Sequence, residues 1–198
     1  MASEHAVDSL RHGVAMGADR AVLATDEALA GSDLVATSRV LAAVLKREAP
    51  QLTLFGWEGT EANGAMLWAA VAERLELPVV SRVWELTVGE EAVRATRQME
   101  YGFDVVTAPL PCIVALSGVT NAPRYPSLKN VIASKRKPVD IVTVSDLGLP
   151  ADSVGAAGSR TTVLGTAAPP PRRAAAVIPE GPDAASQLLA YLSEREAI

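Results

Sequence analysis

Residues 20–77 read RAVLATDEALAGSDLVATSRVLAAVLKREAPQLTLFGWEGTEANGAMLWAAVAERLEL. The run Arg20 to Asp26 is dense in Ala, Val and Leu, the composition of a strand buried on both faces. The turn Asp26-Glu-Ala-Leu-Ala-Gly-Ser follows, and Ser32-Asp33 caps a helix whose Leu34, Val35, Val40, Leu41, Val44 and Leu45 recur at helical spacing. The step then repeats. Leu52-Thr-Leu-Phe-Gly is a short strand, Gly56 to Gly64 a glycine-punctuated loop, and Ala65 to Leu77 an amphipathic helix stopped by Pro78. Strand–helix–strand–helix order predicts a parallel sheet under helical cover.

Working outward, the rhythm changes after Pro78. Val79 to Leu86, Ala92 to Met99, Phe103 to Thr107 and Cys112 to Leu116 are strand-like, and the turns at Val88-Gly-Glu and Tyr101-Gly predict antiparallel pairs. Next comes Asn121-Ala-Pro-Arg-Tyr-Pro, where Pro123 and Pro126 fix φ and push the preceding residues toward extended conformations, giving the loop a defined shape. It runs into a short helical pattern ending in Lys135-Arg136-Lys137, and Asp140 to Ser145 leads out as a strand. On the other side, residues 4–16 read as a helix with Gly17 as its C′ glycine. The predicted fold is α/β: a Rossmann-like mixed sheet, parallel first and extended by antiparallel strands, with helices on both faces. This domain is expected to cover 1–148. From 149 to 198 the chain is rich in Gly, Ala and Pro, with a short strand pattern at Thr161 to Leu164, an extended Pro169-Pro-Pro, and a final helix from Asp183 whose Leu188, Leu189 and Leu192 lie on one side. It reads as an arm that docks elsewhere.

The 198 residues suffice for one good core and an arm. A net charge of −5, with positive charge concentrated only at Lys129 to Lys137, argues against a nucleic-acid partner. No segment approaches the ~20 apolar residues that span a bilayer, so no membrane insertion is expected. The N-terminus lacks the apolar core of a signal peptide, and the lone Cys112, inside CIVAL, excludes an internal disulfide and suits a reducing compartment. A cytoplasmic protein is the expectation.

Catalytic constellations are missing. His5 and His12 share one helical pattern with no ligand cluster around them, so no metal site is expected. Ser117 and Ser127 have no histidine in plausible reach, and Glu58 and Glu61 read as solvated loop acids. No catalytic residue is assigned, and a carrier or scaffold role remains. The loop after CIVAL presents Arg124, Tyr125 and Leu128, a planar cation, an aromatic and an aliphatic side chain, the kind of set that anchors protein contacts.

The run R-x-M-E-x-G-F-D-V-V-T-A-P-L-P from Arg97 to Pro111, followed by N-A-P-R-Y-P-S-L, resembles the β subunit of electron transfer flavoproteins. The likeness extends from Gly13-x-x-Met-Gly-Ala-Asp-Arg-Ala-Val to the terminal helix. It implies an adenine-nucleotide-hydrolase-like fold, an α subunit that holds most of a shared FAD, and a C-terminal arm that wraps onto that α subunit. Electrons would pass from dehydrogenases, such as acyl-CoA dehydrogenases, to the flavin and on to a quinone reductase. It also implies that Leu128 inserts into a pocket on the dehydrogenase, that Arg124 and Tyr125 shape the loop, and that Lys135, Arg136 and Lys137 steer an acidic partner surface.

Three departures qualify the resemblance. Family members start with further strand and helix units, whereas here Met1 opens the helix that should follow them. A truncated gene model or a degraded paralogue is expected, leaving Arg20 to Asp26 and Leu52 to Phe55 with an uncovered neighbour edge. The family's AMP-phosphate loop corresponds to Gly56-Trp-Glu-Gly-Thr-Glu-Ala-Asn-Gly. Gly56, Gly59, Thr60, Asn63 and Gly64 are the candidate AMP residues, but Trp57 stands at the lysine position. An AMP held by backbone alone, and a plain turn with Trp57 and Trp68 in core or interface, are the two readings. Gln98 replaces the glutamate that pairs with an arginine of the α subunit, so it can still hydrogen-bond there but has no charge to pair. A divergent paralogue acting as a scaffold, without nucleotide or electron transfer, is the alternative function.

Overall fold

In the computed structural model, which describes residues 1–2, 4–59, 64–118, 120–169 and 177–195, the first helix, α1 (Val7–Ala15), ends at Gly17. That glycine has φ +128°, a conformation L side chains resist, as its C′ position requires. Strand β1 (Ala21–Ala24) follows, then α2 (Leu34–Glu48). The Asp33 carboxylate accepts from Ala36 N at 2.9 Å and so fixes where α2 begins. Strand β2 (Leu52–Gly56) leads to α3 (Leu67–Leu75), which stops at Glu76 in the left-handed region, two residues before Pro78.

The hairpins form as their turns predict: β3 (Val79–Val88), β4 (Ala92–Met99) and β5 (Gly102–Pro109) pair antiparallel in sequence. CIVAL becomes β6 (Cys112–Leu116) and inserts between β2 and β3, parallel to both. The five-stranded order is therefore β2-β6-β3-β4-β5, half parallel and half antiparallel. The short helix α4 (Leu128–Ser134) and strand β7 (Val139–Val142) follow. Strand β7 pairs in parallel with β1, in a separate two-stranded sheet. The parallel half is thus in two pieces. Among the described residues β1 has β7 as its one strand partner and β2 has β6; on the other side of β1 the Ala2 N–H donates to Ala24 O at 3.2 Å.

Burial explains why β6 is apolar throughout. Cys112 and Val114 face a cluster with Val83, Val93 and Ala95, whereas Ile113 faces Ala42, Val71 and Ala72 of α2 and α3. Full burial of a side chain such as Ile113 stabilises by roughly 1.5–3 kcal/mol. Helix α2 serves both pieces of sheet: its Val40 packs with Ala24 and Val142, its Ala42 with Val71 and Ile113.

The chain separates into two compact units, Met1–Thr162 and Val163–Ile198. The first unit runs past the composition change at Leu149 because α5 (Gly155–Gly158) and the residues after it bind the start of α2. Val154 is fully buried there. The strand expected at Thr161 to Leu164 does not form. Thr161 gives its backbone N–H and its hydroxyl to Asp33 instead of to a sheet neighbour. The second unit contains α6 (Ala184–Ser193), which begins after Asp183 as expected. The second and third prolines of 169–171 lie outside the described residues.

Candidate functional site

Strands β2 and β6 end side by side, with Gly56 opposite Leu116. Their two loops therefore leave from one edge of the sheet, the carboxyl edge where ligands of parallel α/β sheets bind.

Beside the β2 loop lies a cavity of about 450 Å³. Gly56, Gly59 and Gly64 line it, with Asp33 and Thr37 from the start of α2 and Trp68 from α3. Thr60 and Asn63, the other candidate AMP residues, lie outside the described residues. A Cβ at Gly64 would meet nothing within 4 Å, and one at Gly56 only Glu58 O at 3.9 Å. The protein's own packing demands neither glycine, so the backbone is open to close approach. The side chains are a different matter. Among the described residues the lining contains no cation, but two carboxylates, Asp33 and Glu58, beside apolar Leu34, Phe55 and Leu67.

Asp33 is the most heavily used of these groups. Besides Ala36 N it accepts from Arg160 N at 2.6 Å, Thr161 N at 3.0 Å and Thr161 Oγ1 at 3.1 Å. These bonds, led by the one from Ala36, hold its pKa down at about 2. Ser159 completes the knot: its Oγ accepts from Asp33 N, and its single proton lies within reach of the Gly31 and Gly155 carbonyls, 2.9 and 2.7 Å away. The start of α2 is thus already capped by a carboxylate that is ionised at neutral pH, which opposes a phosphate there. Ser32-Asp33 is readable as a cap from local sequence. Its link to residues 159–161 is not, because those partners are more than 120 positions away.

Trp57 stacks on Trp68 at 5.7 Å between ring centroids and accepts its indole N–H at 3.1 Å through the backbone oxygen. The Arg82 guanidinium lies 5.4 Å from the Trp57 ring.

The β6 loop is tied down first by Thr120, whose Oγ1 meets the carbonyls of Val83 and Ser117 at 2.9 Å. Beyond it the chain projects. Tyr125 is 96% exposed and Leu128 76%. Ser127 caps α4, its Oγ accepting from Asn130 N at 3.3 Å. Arg124, Lys135 and Arg136 are exposed on the same segment. Ile132, one helical turn after Leu128 and 55% exposed, joins this apolar surface. Its spacing in LKNVI is the signal that identifies it.

Gln98 lies apart from these residues in sequence, exposed on β4 opposite Phe103. Trp84 meets Phe103 edge-on at 6.2 Å. The neighbouring Arg97 pairs with Asp104 at 3.5 Å, and Asp104 also accepts from Tyr101 Oη at 3.1 Å. Among the described residues there is no cluster of three or more potential metal ligands, and no helix is long and apolar enough to cross a membrane.

A family model for the electron transfer flavoprotein domain matches residues 1–147. Electron transfer flavoprotein subunit beta of Mycobacterium leprae is 32% identical over 98% of this chain and 74% of that protein. The corresponding subunit of Methylophilus methylotrophus is 35% identical over 79% of this chain and 60% of its own length. Subunit CarD of the caffeyl-CoA reductase-Etf complex of Acetobacterium woodii is 34% identical over 86% and 65%. With the mixed sheet, the carboxyl-edge cavity and the projecting loop, these matches settle the family: the chain belongs to the electron transfer flavoproteins, as a protein of the β-subunit type.

Proposed function

We propose that this chain is the β-type half of a heterodimer that accepts electrons from dehydrogenases of the acyl-CoA type onto an FAD held mainly by an α subunit, and passes them toward a quinone reductase. The observation that carries this reading is the exposed Leu128 at the capped start of α4, with Lys135 and Arg136 exposed just past the end of the same helix: an apolar anchor and cations on one segment, suited to a partner pocket bordered by acids. The flavin supplies the redox chemistry. This chain's part is to set partner choice and distance. Gln98, flanked by Phe103, is its contact to the α subunit, and residues 163–198 are the arm that docks on it. AMP is not part of the proposal, because the described lining offers carboxylates where a phosphate needs donors. A cytoplasmic location accords with the lone buried thiol of Cys112.

The test is co-expression with a candidate α subunit, purification through a tag on this chain, and a visible absorption spectrum. A co-purifying flavoprotein that bleaches with a dehydrogenase and its substrate is the expected result. A second reading, a scaffold subunit without nucleotide, is favoured by the Trp57–Trp68 stack at the lysine position and by the acidic cavity. A stable heterodimer without flavin turnover would select it.

A further inference from the structure

Helix α4 carries the docking residues, yet by itself it has little reason to be ordered. It has seven residues, well below the length of ~12–15 at which an isolated helix is even marginal in water. Ser134 is its one buried residue, and the element it mainly packs on is α1. The cations that end the segment do not serve their own helix: Lys135 and Arg136 are exposed, and Lys137 Nζ donates to Ala18 O at 2.9 Å.

The last carbonyls of α4 are instead capped from α1. Arg11 Nη1 donates to Ser134 O at 3.2 Å and to Lys135 O at 2.6 Å, placing a cation at the negative end of the helix. At the other end of the segment, the Arg124 guanidinium lies over Gly17, in the turn that closes α1. A Cβ at Gly17 would sit 3.1 Å from Arg124 Nη2. Three contacts, from Arg11, Gly17 and Ala18, thus hold a docking segment that begins at Arg124 and ends at Lys137. Helix α1 is anchored in turn, with Val14 and Ala15 buried.

We propose that α1 and its Gly17 turn are the platform that presets the docking segment, with Arg11 and Lys137 as positioning residues for partner recognition. This inference rests on the docking role of Leu128 proposed above. A segment ordered only a fraction of the time binds more weakly in proportion to that fraction, so loosening the platform weakens docking without touching Leu128.

The test is amide hydrogen exchange of the full chain, comparing wild type with Arg11→Met, Arg11→Lys, the double variant Arg11→Met/Lys137→Met, and Leu128→Ala. Methionine keeps the apolar stem of arginine and removes its donors. Exchange across residues 128–134 is expected to quicken roughly ten-fold in Arg11→Met, which removes both of the hydrogen bonds from Arg11 to the end of α4, and further in the double variant. It should quicken less in Arg11→Lys and stay unchanged in Leu128→Ala. Amides of β4 and β6 serve as internal reference, so a general loss of stability shows as a rise in both places. Unchanged protection of α4 in the double variant, or a rise no larger than that of β4 and β6, overturns the proposal. With the heterodimer and a dehydrogenase that reduces it, the KM for the dehydrogenase should rise in both Arg11→Met and Leu128→Ala while kcat holds. If Leu128→Ala leaves that KM unchanged, the docking reading fails and the exchange data still decide the platform.

Discussion

Asp33 shows how much one side chain can decide. A carboxylate that accepts four hydrogen bonds is stabilised in its charged form, and its pKa of about 2 lies below the ordinary 3.8. The stabilisation it confers is complete above pH 3.8 and disappears as the pH falls toward 2. Asp33→Ala should therefore lower the melting temperature by a few degrees, by a nearly equal margin from pH 7 down to about pH 4, and by a much smaller margin at pH 2, where the carboxylate is partly protonated. Thermal melts followed by circular dichroism over that range check it, and an offset as large at pH 2 as at pH 7 would mean that charge is not the cause. Cys112 gives a complementary expectation. Burial raises its pKa and covers its sulfur, so a thiol reagent at pH 8 should label it only at the rate at which the chain unfolds. Labelling as fast as a free cysteine peptide would contradict its place in the core.

At the scale of elements, β6 and α4 make opposite predictions. Strand β6 is packed on both faces, so Ile113→Ala should cost roughly 2–5 kcal/mol in urea unfolding. Leu128→Ala on α4 should change stability by less than about 0.5 kcal/mol, since the side chain touches little of its own molecule, yet weaken partner docking by about 2 kcal/mol or more. A large loss of stability in Leu128→Ala would mean that the leucine is a packing residue. The contrast was readable in the sequence, because CIVAL is apolar at every position whereas LKNVIASKRK alternates apolar and charged residues at helical spacing. Periodicity and turn chemistry placed the hairpins and α2 for the same local reason. Local pattern failed at Thr161–Leu164, where Thr161 is drawn to Asp33 by bonds that no sequence window contains. It also could not show that Arg11, rather than the following lysines, caps α4.

For the whole molecule, composition and connectivity disagree about where the first unit ends. Gly, Ala and Pro enrichment begins after Leu149, but enrichment describes flexibility, and backbone groups of residues 155–161 are satisfied by α2 and the turn before it. The Ser159–Asp33 knot makes the last residues of Met1–Thr162 part of its fold. A chain ended after Thr162 should then melt within about 2 °C of the full chain, since every bond of the knot remains. A chain ended after Gly158 loses Ser159, Arg160 and Thr161 together and should melt lower. The two effects must also be coupled. Asp33→Ala in the chain ended after Gly158 removes only the cap on Ala36, so it should cost less than the same substitution in the chain ended after Thr162. Equal costs in the two backgrounds would show that Asp33 acts on α2 alone, and that the stretch beyond α5 belongs with the arm rather than with the sheet.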